Sequence, residues 1–302
     1  MKKKNTVLLE LKEPRFTLDQ VILDDKIVEE LQYVIKFEQV RDKVYNKWGL
    51  SKIEKSPKQA LNFWGDSGTG KTMTAEALAN VIGKKIILAS YADIESKYHG
   101  DGPKNARYLF EFAAENDAVL FIDEADSLLS CRINATQGAE QAANSLRSEL
   151  LIQIEKFSGI VIFATNLASN YDKAFVTRIK SIHFEKPNQE LRRKLWEKLL
   201  FDEDIYLPFD ANNPINVEKL SSIDDICGRD IKNAVIKTAV KTAINRDVFI
   251  LQKNLEDTIN EIVESNNKVT GELSATEKKE IGEKIQRQIR KKEKRKYRRR
   301  KV

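Results

Sequence analysis

Eight consecutive residues of this chain have the types and spacing of a phosphate-binding loop, G-x-x-x-x-G-K-T. They are Gly65, Asp66, Ser67, Gly68, Thr69, Gly70, Lys71 and Thr72. The glycines allow backbone N–H groups to turn inward around a phosphate, and the helix predicted after them adds a partial positive charge. A lysine at this place reaches the outer phosphates, and the threonine hydroxyl can bind Mg²⁺. We predict a nucleotide site here; the alternative is a glycine-rich turn without a ligand.

Two carboxylates, Asp123 and Glu124, follow the apolar run 119–122. Ligands of a parallel sheet bind beyond the carboxyl ends of its strands, and Asp123 lies 52 residues after Lys71. We predict that Asp123 holds Mg²⁺ directly or through water, and that Glu124 is the general base that activates an attacking water. The alternative is a pair of acidic residues that only ends a strand.

Asn166 comes directly after the next apolar run, 160–164, and Thr165. An amide at the end of a neighbouring strand can hydrogen-bond the attacking water and the γ-phosphate. We therefore predict a catalytic role for Asn166; the alternative is an asparagine that closes a turn.

The elements that must position these residues alternate between strand-like and helical patterns. Short apolar runs separated by amphipathic segments predict a three-layer α/β domain with a parallel sheet. After Pro187 only helical patterns follow. The predicted organisation has four parts: an arm and helix over 1–57, the α/β domain over 58–187, a helical domain over 188–266 and a basic tail over 267–302.

The composition excludes several classes of protein. The chain has 302 residues, of which 32% are charged, and no apolar run approaches the roughly 18 residues of a membrane span. Cys131 and Cys227 lie far apart, as do His99 and His183, so no metal-binding spacing is present. We expect a cytoplasmic protein without a membrane partner.

The net charge of +6 is distributed unevenly. The segment 284–302 carries 12 Lys and Arg residues against one acidic residue, which is +11, so the rest of the chain carries −5. Such a segment is a solvated tail, an arm for an acidic protein, or a salt-sensitive contact to nucleic acid. Only Tyr297 interrupts the charges with an aromatic ring.

Taken together, the three motifs resemble the Walker A, Walker B and sensor-1 elements of the AAA+ ATPases, close to the classical AAA clade. The resemblance covers about residues 16–250 and implies ATP and Mg²⁺ as ligands, ATP hydrolysis, and an AAA+ large domain followed by a helical lid. Val21 and Ile22 lie in a segment similar to the one that packs on adenine. Arg229 occupies the place of the sensor-2 arginine, where classical members often carry alanine; an exposed helix arginine is the alternative.

Two further segments resemble parts of the same family. Arg178 matches the arginine finger that reaches a neighbouring subunit, which implies a homo-oligomeric ring, usually a hexamer; a plain surface arginine is the alternative. The segment Lys97, Tyr98, His99 and Gly100 resembles the first pore loop. An aromatic ring at the Tyr98 position grips an extended polypeptide, so the resemblance implies a protein substrate that is threaded and remodelled.

The substrate itself stays open at this point. The string Ala174-Phe175-Val176-x-Arg178 is faintly similar to that of HORMA-remodelling ATPases. A nucleic-acid-associated AAA+ ATPase that uses 284–302 is the competing hypothesis. A P-loop kinase or GTPase would not account for Asn166, Arg178 and the helical lid together.

Overall fold

The computed structural model describes residues 9–54, 57, 59–95, 102–131, 138–166 and 171–270. The chain divides into two compact units, Met1–Leu191 and Arg192–Val302. The three boundaries between the four predicted parts of the chain remain predictions.

The described part of the first unit contains a six-stranded sheet. Its strands are β1 (Leu11–Lys12), β2 (Gln59–Trp64), β3 (Ile86–Ser90), β4 (Val119–Asp123), β5 (Ile160–Thr165) and β6 (Lys180–His183). Their spatial order is β1-β3-β4-β5-β2-β6, and every neighbouring pair is parallel except β1 with β3. The predicted parallel sheet is therefore confirmed, and the N-terminal arm adds one antiparallel edge strand.

Helices cover both faces of this sheet. They are α1 (Asp25–Asp42), α2 (Lys71–Val81), α3 (Tyr91–Ile94), α4 (Gly102–Glu115), α5 (Asp126–Leu129), α6 (Gly138–Lys156) and α7 (Lys173–Val176). A π-helical turn, Lys43–Lys47, extends α1 at its end. The side chain of Asp24 caps the start of α1 by accepting from the Lys26 N–H at 3.0 Å.

Alternate residues of the central strands enter two separate cores. Leu120 and Ile122 of β4 pack with α4 and α6, whereas Val119 and Phe121 pack with α1 and α2. Because side chains alternate along a strand, a run that is apolar at every position must be buried on both faces. This burial explains why the strands are continuous apolar runs, and it confirms the three-layer α/β fold.

The second unit is helical in its described residues. Its helices are α8 (Gln189–Phe201, which begins in the first unit), α9 (Val217–Ser221), α10 (Gly228–Asn245) and α11 (Gln252–Thr270). Trp196, Leu220, Ile231 and Ile259 are among its fully buried residues. Ile250, just before α11, forms an isolated bridge with Phe209 and donates its N–H to the Pro208 carbonyl at 2.8 Å. Among the described residues, no helix has the length and apolar content needed to cross a membrane.

Candidate nucleotide site

The phosphate loop connects β2 to α2 and depends on its glycines. Gly65, Gly68 and Gly70 have φ angles of 143°, 85° and 98°, which side chains rarely adopt. A Cβ atom on Gly65 would lie 2.1 Å from the carbonyl oxygen of Phe184, just beyond β6. The Gly65 N–H donates to the Thr165 carbonyl at 3.1 Å. The loop is therefore anchored between the strands on either side of β2.

Lys71 brings the loop and the predicted sensor residue together. Its side chain is 9% exposed, and its Nζ donates to the carbonyl oxygens of Gly65 at 2.5 Å and Asp66 at 2.9 Å. The same Nζ lies 3.0 Å from Oδ1 of Asn166. Three oxygen acceptors therefore surround the amino group of Lys71, the type of donor that contacts a phosphate.

The two predicted carboxylates lie at the carboxyl end of β4. Asp123 is the last residue of this strand and is half-buried, and its Oδ1 accepts the N–H of Glu124 at 2.9 Å. Glu124 is exposed, with a φ of 54°, in the left-handed region. The Ala125 N–H donates to the Ala164 carbonyl at 2.9 Å, so the turn after β4 is attached to β5.

Asp126 is a site residue that sequence reasoning missed. Its Oδ1 accepts the backbone N–H of Asn166 at 2.9 Å, which fixes the end of β5 relative to the turn after β4. Arg147 supports this turn from α6: its Nη2 donates to the Ser127 carbonyl at 2.9 Å, and its side chain is largely buried. A third acidic residue, three positions after Asp123, was the available signal in the sequence.

Comparison with known proteins agrees with this geometry. The family described as "ATPase family associated with various cellular activities (AAA)" matches residues 61–186. A putative 26S proteasome regulatory subunit homolog from Methanocaldococcus jannaschii is 30% identical over 265 residues, which are 86% of this chain and 67% of that protein. The chain belongs to the AAA family of ATPases.

Two eukaryotic relatives are similar over a shorter part of their length. The 26S proteasome regulatory subunit 4 homolog of Schizosaccharomyces pombe is 30% identical over 221 residues, 69% of this chain and 46% of the relative. That of Dictyostelium discoideum is 32% identical over 217 residues, 68% of this chain and 46% of the relative. The AAA chain thus spans between about half and two thirds of the length of these relatives. The relatives support neither a HORMA partner nor a nucleic-acid partner.

The residues of this AAA site suit a nucleoside triphosphate with Mg²⁺. A Cβ atom on Gly70 would meet nothing within 4 Å, so the loop leaves open space before α2. Lys71 and the N-terminal N–H groups of α2 suit the phosphates. The Thr72 hydroxyl and the Asp123 carboxylate carry oxygen atoms, the ligand type that Mg²⁺ prefers. These residues would hold the nucleotide and the metal ion.

The segment expected to contact adenine lies beside the phosphate helix. Val21 and Ile22 are half-buried and follow a 3₁₀ turn, Leu18–Gln20, that packs against α2. The Gln20 side chain accepts the Thr17 N–H at 3.1 Å and closes this turn. The turn that precedes Val21 and Ile22 therefore packs against the helix that follows the predicted phosphate loop.

The two predicted arginines are in different surroundings. Arg178 follows α7, and its Nε donates to Oε1 of Glu155 at 2.7 Å while its Nη1 donates to the Ala174 carbonyl at 2.9 Å. Arg229 is the exposed second residue of α10, in the second unit. At the start of α10, the Cys227 N–H donates to Oδ2 of Asp230 at 2.9 Å and caps the helix. Burial raises the pKa of the Cys227 thiol.

Two other predictions lie outside the described residues. These are the pore-loop segment Lys97–Gly100 and the basic segment 284–302. Their assignments stay sequence-based predictions.

Proposed function

We propose that this AAA protein hydrolyses ATP with Mg²⁺ as part of a homo-oligomeric ring and uses that hydrolysis to remodel or unfold a protein substrate. One observation carries the hydrolytic part of the proposal. Lys71 Nζ of the phosphate loop lies 3.0 Å from Asn166 Oδ1, next to the turn that holds Asp123 and Glu124. A phosphate-binding lysine, a water-orienting amide and two carboxylates are thereby drawn to one edge of the sheet.

Each residue has a distinct task in this reaction. Lys71 neutralises charge on the outer phosphates, while Glu124 takes the proton from the attacking water. Asn166 orients that water, since its side chain is already tied to Lys71. Thr72 and Asp123 would hold Mg²⁺, which would supply positive charge to the phosphates. The catalysis proposed here consists of positioning and electrostatic stabilisation.

The ring is proposed from Arg178 and from the relatives. Arg178 matches the finger position of the family, and a finger acts on the nucleotide of a neighbouring subunit. The relatives are named as homologs of regulatory subunits of the 26S proteasome, and a subunit belongs to a larger assembly. A hexamer is the ring size that the family resemblance implies.

A protein substrate is proposed on the same basis. The relatives' names connect them with the proteasome, and Tyr98 matches the aromatic pore-loop position. In this proposal the Tyr98 ring contacts extended polypeptide in the central pore without requiring a particular sequence.

Glu124→Gln tests the hydrolytic proposal. This variant keeps the size of the side chain but cannot accept the proton, so it should bind ATP and release phosphate at least about 100-fold more slowly. Glu115→Gln, an exposed change at the end of α4, is the matched control and should retain wild-type turnover. Phosphate release by Glu124→Gln at the wild-type rate would contradict the assignment.

Tyr98→Ala tests the threading proposal. We expect this variant to retain ATP hydrolysis but to lose ATP-dependent unfolding of a fluorescent protein that carries an unstructured tail. Tyr108→Ala, which removes a partly exposed tyrosine of α4, should retain both activities. If Tyr98→Ala still unfolds the fluorescent protein, threading by this loop is wrong.

A further inference from the structure

Glu76 is an acidic residue in the buried face of the phosphate helix. It lies in α2, five residues after Lys71, and is 1% exposed. A carboxylate removed from water is costly unless charged or hydrogen-bonding groups compensate for the lost hydration. Glu76 therefore requires a partner that compensates for its lost hydration.

That partner is Arg15, from the N-terminal arm. Its Nη2 lies 2.5 Å from Oε1 of Glu76 and its Nε lies 3.0 Å from Oε2, which is a bidentate pair. Its backbone N–H also donates to Oε2 at 3.0 Å. Because a backbone group takes part, the contact fixes the position of the chain at residue 15 as well as that of the side chain.

The charge state of Glu76 agrees with this geometry. Burial pushes the pKa of the Glu76 carboxyl upward, but the hydrogen bonds and charge of Arg15 outweigh this effect and hold that pKa below its usual range. The pair is thus ionised at neutral pH.

The position of Arg15 in the chain connects this pair to the nucleotide. Arg15 lies between β1 at the sheet edge and the 3₁₀ turn Leu18–Gln20, which packs against α2. Val21, which belongs to the predicted base segment, is only six positions after Arg15. The pair therefore restrains the base segment on the helix whose N-terminus forms part of the phosphate site.

We propose that Arg15 and Glu76 are positioning residues for the nucleotide base. Their ion pair holds Val21 and Ile22 at the distance from the phosphate loop that a nucleoside triphosphate requires. This inference rests on the proposed function. The ion pair contributes to the affinity for the base and does not contribute to the affinity for the phosphates.

The test compares two ligands that share the triphosphate. Titration calorimetry with Mg²⁺ measures the Kd of the full chain for ATP and for inorganic tripolyphosphate. Arg15→Gln should weaken ATP binding about tenfold, the scale of one or two lost hydrogen bonds, and leave tripolyphosphate binding within about twofold. Arg15→Lys should recover part of the ATP affinity, since it keeps the charge but not the bidentate geometry.

Two further variants separate positioning from folding. The double variant Arg15→Ala/Glu76→Leu avoids an unpaired buried carboxylate and should stay folded, yet it should show the same selective loss of ATP affinity. Lys85→Gln is the matched control, because it removes the exposed ion pair of Lys85 with Glu13 of the same arm, 2.8 Å long, and should change neither Kd.

The outcomes distinguish the inference from the proposed function. Unchanged ATP affinity in the Arg15 variants, or an equal loss for ATP and tripolyphosphate, overturns the positioning role alone. A wild-type chain that binds neither ligand overturns the proposed function, and the inference with it.

Discussion

Lys71 Nζ and Asn166 Oδ1 are 3.0 Å apart although 95 residues separate them in the chain. The contact exists because β2 and β5 are parallel neighbours, with Trp64 opposite Thr165. Both strands therefore end at the same level of the sheet. The phosphate loop follows β2 there, and Asn166 follows β5. Because the side chain of Asn166 contacts that of Lys71 directly, the two should act together in turnover.

Replacement of Asn166 should slow turnover more than it weakens binding. Asn166→Ala removes the amide, and Asn166→Asp keeps an oxygen for Lys71 but no longer donates a hydrogen bond. We expect both to lower kcat by about 10- to 100-fold, with the Kd for ATP changed by less than about threefold. Asn116→Ala, at the exposed end of α4, is the control. A weaker Kd with an unchanged kcat would assign Asn166 to binding instead.

Arg178 should act on the nucleotide of a neighbouring subunit. Lys71→Ala leaves the finger intact and Arg178→Ala leaves the phosphate loop intact, so each variant alone should be inactive. In an equimolar mixture, random assembly creates complete sites at about a quarter of the interfaces, and ATP hydrolysis should reappear. Arg193→Ala, which removes an exposed ion pair with Glu197 in α8, should behave like the wild type. Absence of recovery in the mixture would contradict action between subunits.

Substitution by alanine should lower the free energy of unfolding by different amounts at two glycines that have positive φ angles. Gly83 has a φ of 70° and open space around the Cβ position, so Gly83→Ala should lower the free energy of unfolding by about 1–2 kcal/mol. At Gly65 the added Cβ would also meet the Phe184 carbonyl at 2.1 Å, so backbone must move. Gly65→Ala should cost at least about 2 kcal/mol more. Urea unfolding of both variants checks this, and equal costs would contradict it.

Acid should weaken the contact between α4 and α6. The hydrogen bond from Arg107, 2.9 Å long, holds the pKa of the Glu149 carboxyl below its usual range, against the effect of burial. The lowered pKa means that this stabilisation is complete above the unfolded-state pKa, about 4.3, and is lost as the pH falls through the folded-state value. Glu149→Gln should therefore lower the free energy of unfolding at pH 7 and have less effect as the pH drops below about 4.

Urea unfolding of the wild type and of Glu149→Gln across this pH range measures the difference. Glu115→Gln, an exposed residue of α4, should show no comparable pH-dependent gap. A gap that widened toward acid would mean that the sign of the pKa shift is wrong.

Much of the α/β unit could be predicted from the sequence because its strands are buried on both faces. The runs at 60–64, 119–122 and 160–164 are apolar at nearly every position, and all three are strands. Glycine spacing likewise predicted a loop between β2 and α2, and Asp123 and Glu124 lie at the carboxyl end of β4, while their roles remain predictions. The AAA resemblance that these motifs carried is confirmed by the family match.

Other features depend on contacts between elements that are distant in the sequence, and no local sequence pattern predicts such contacts. A glutamate in a helix is expected to face water, but Glu76 is buried and its carboxylate pairs with Arg15 of the arm. Asp126 has a role only because β4 and β5 are neighbours, so that its carboxylate meets the N–H of Asn166. The salt bridge of Arg178 with Glu155 joins residues 23 positions apart in the chain and was likewise not predicted.

The backbone of Glu124 has a consequence for the stability of the protein. A glutamate at a φ of 54° is held in a conformation that costs roughly 1–3 kcal/mol relative to an ordinary one. The hydrogen bonds of Ala125 and Asp126, which attach the turn to β5, offset this cost. The turn therefore stores conformational strain, and substitutions selected only for a higher melting temperature should accumulate here at the expense of turnover.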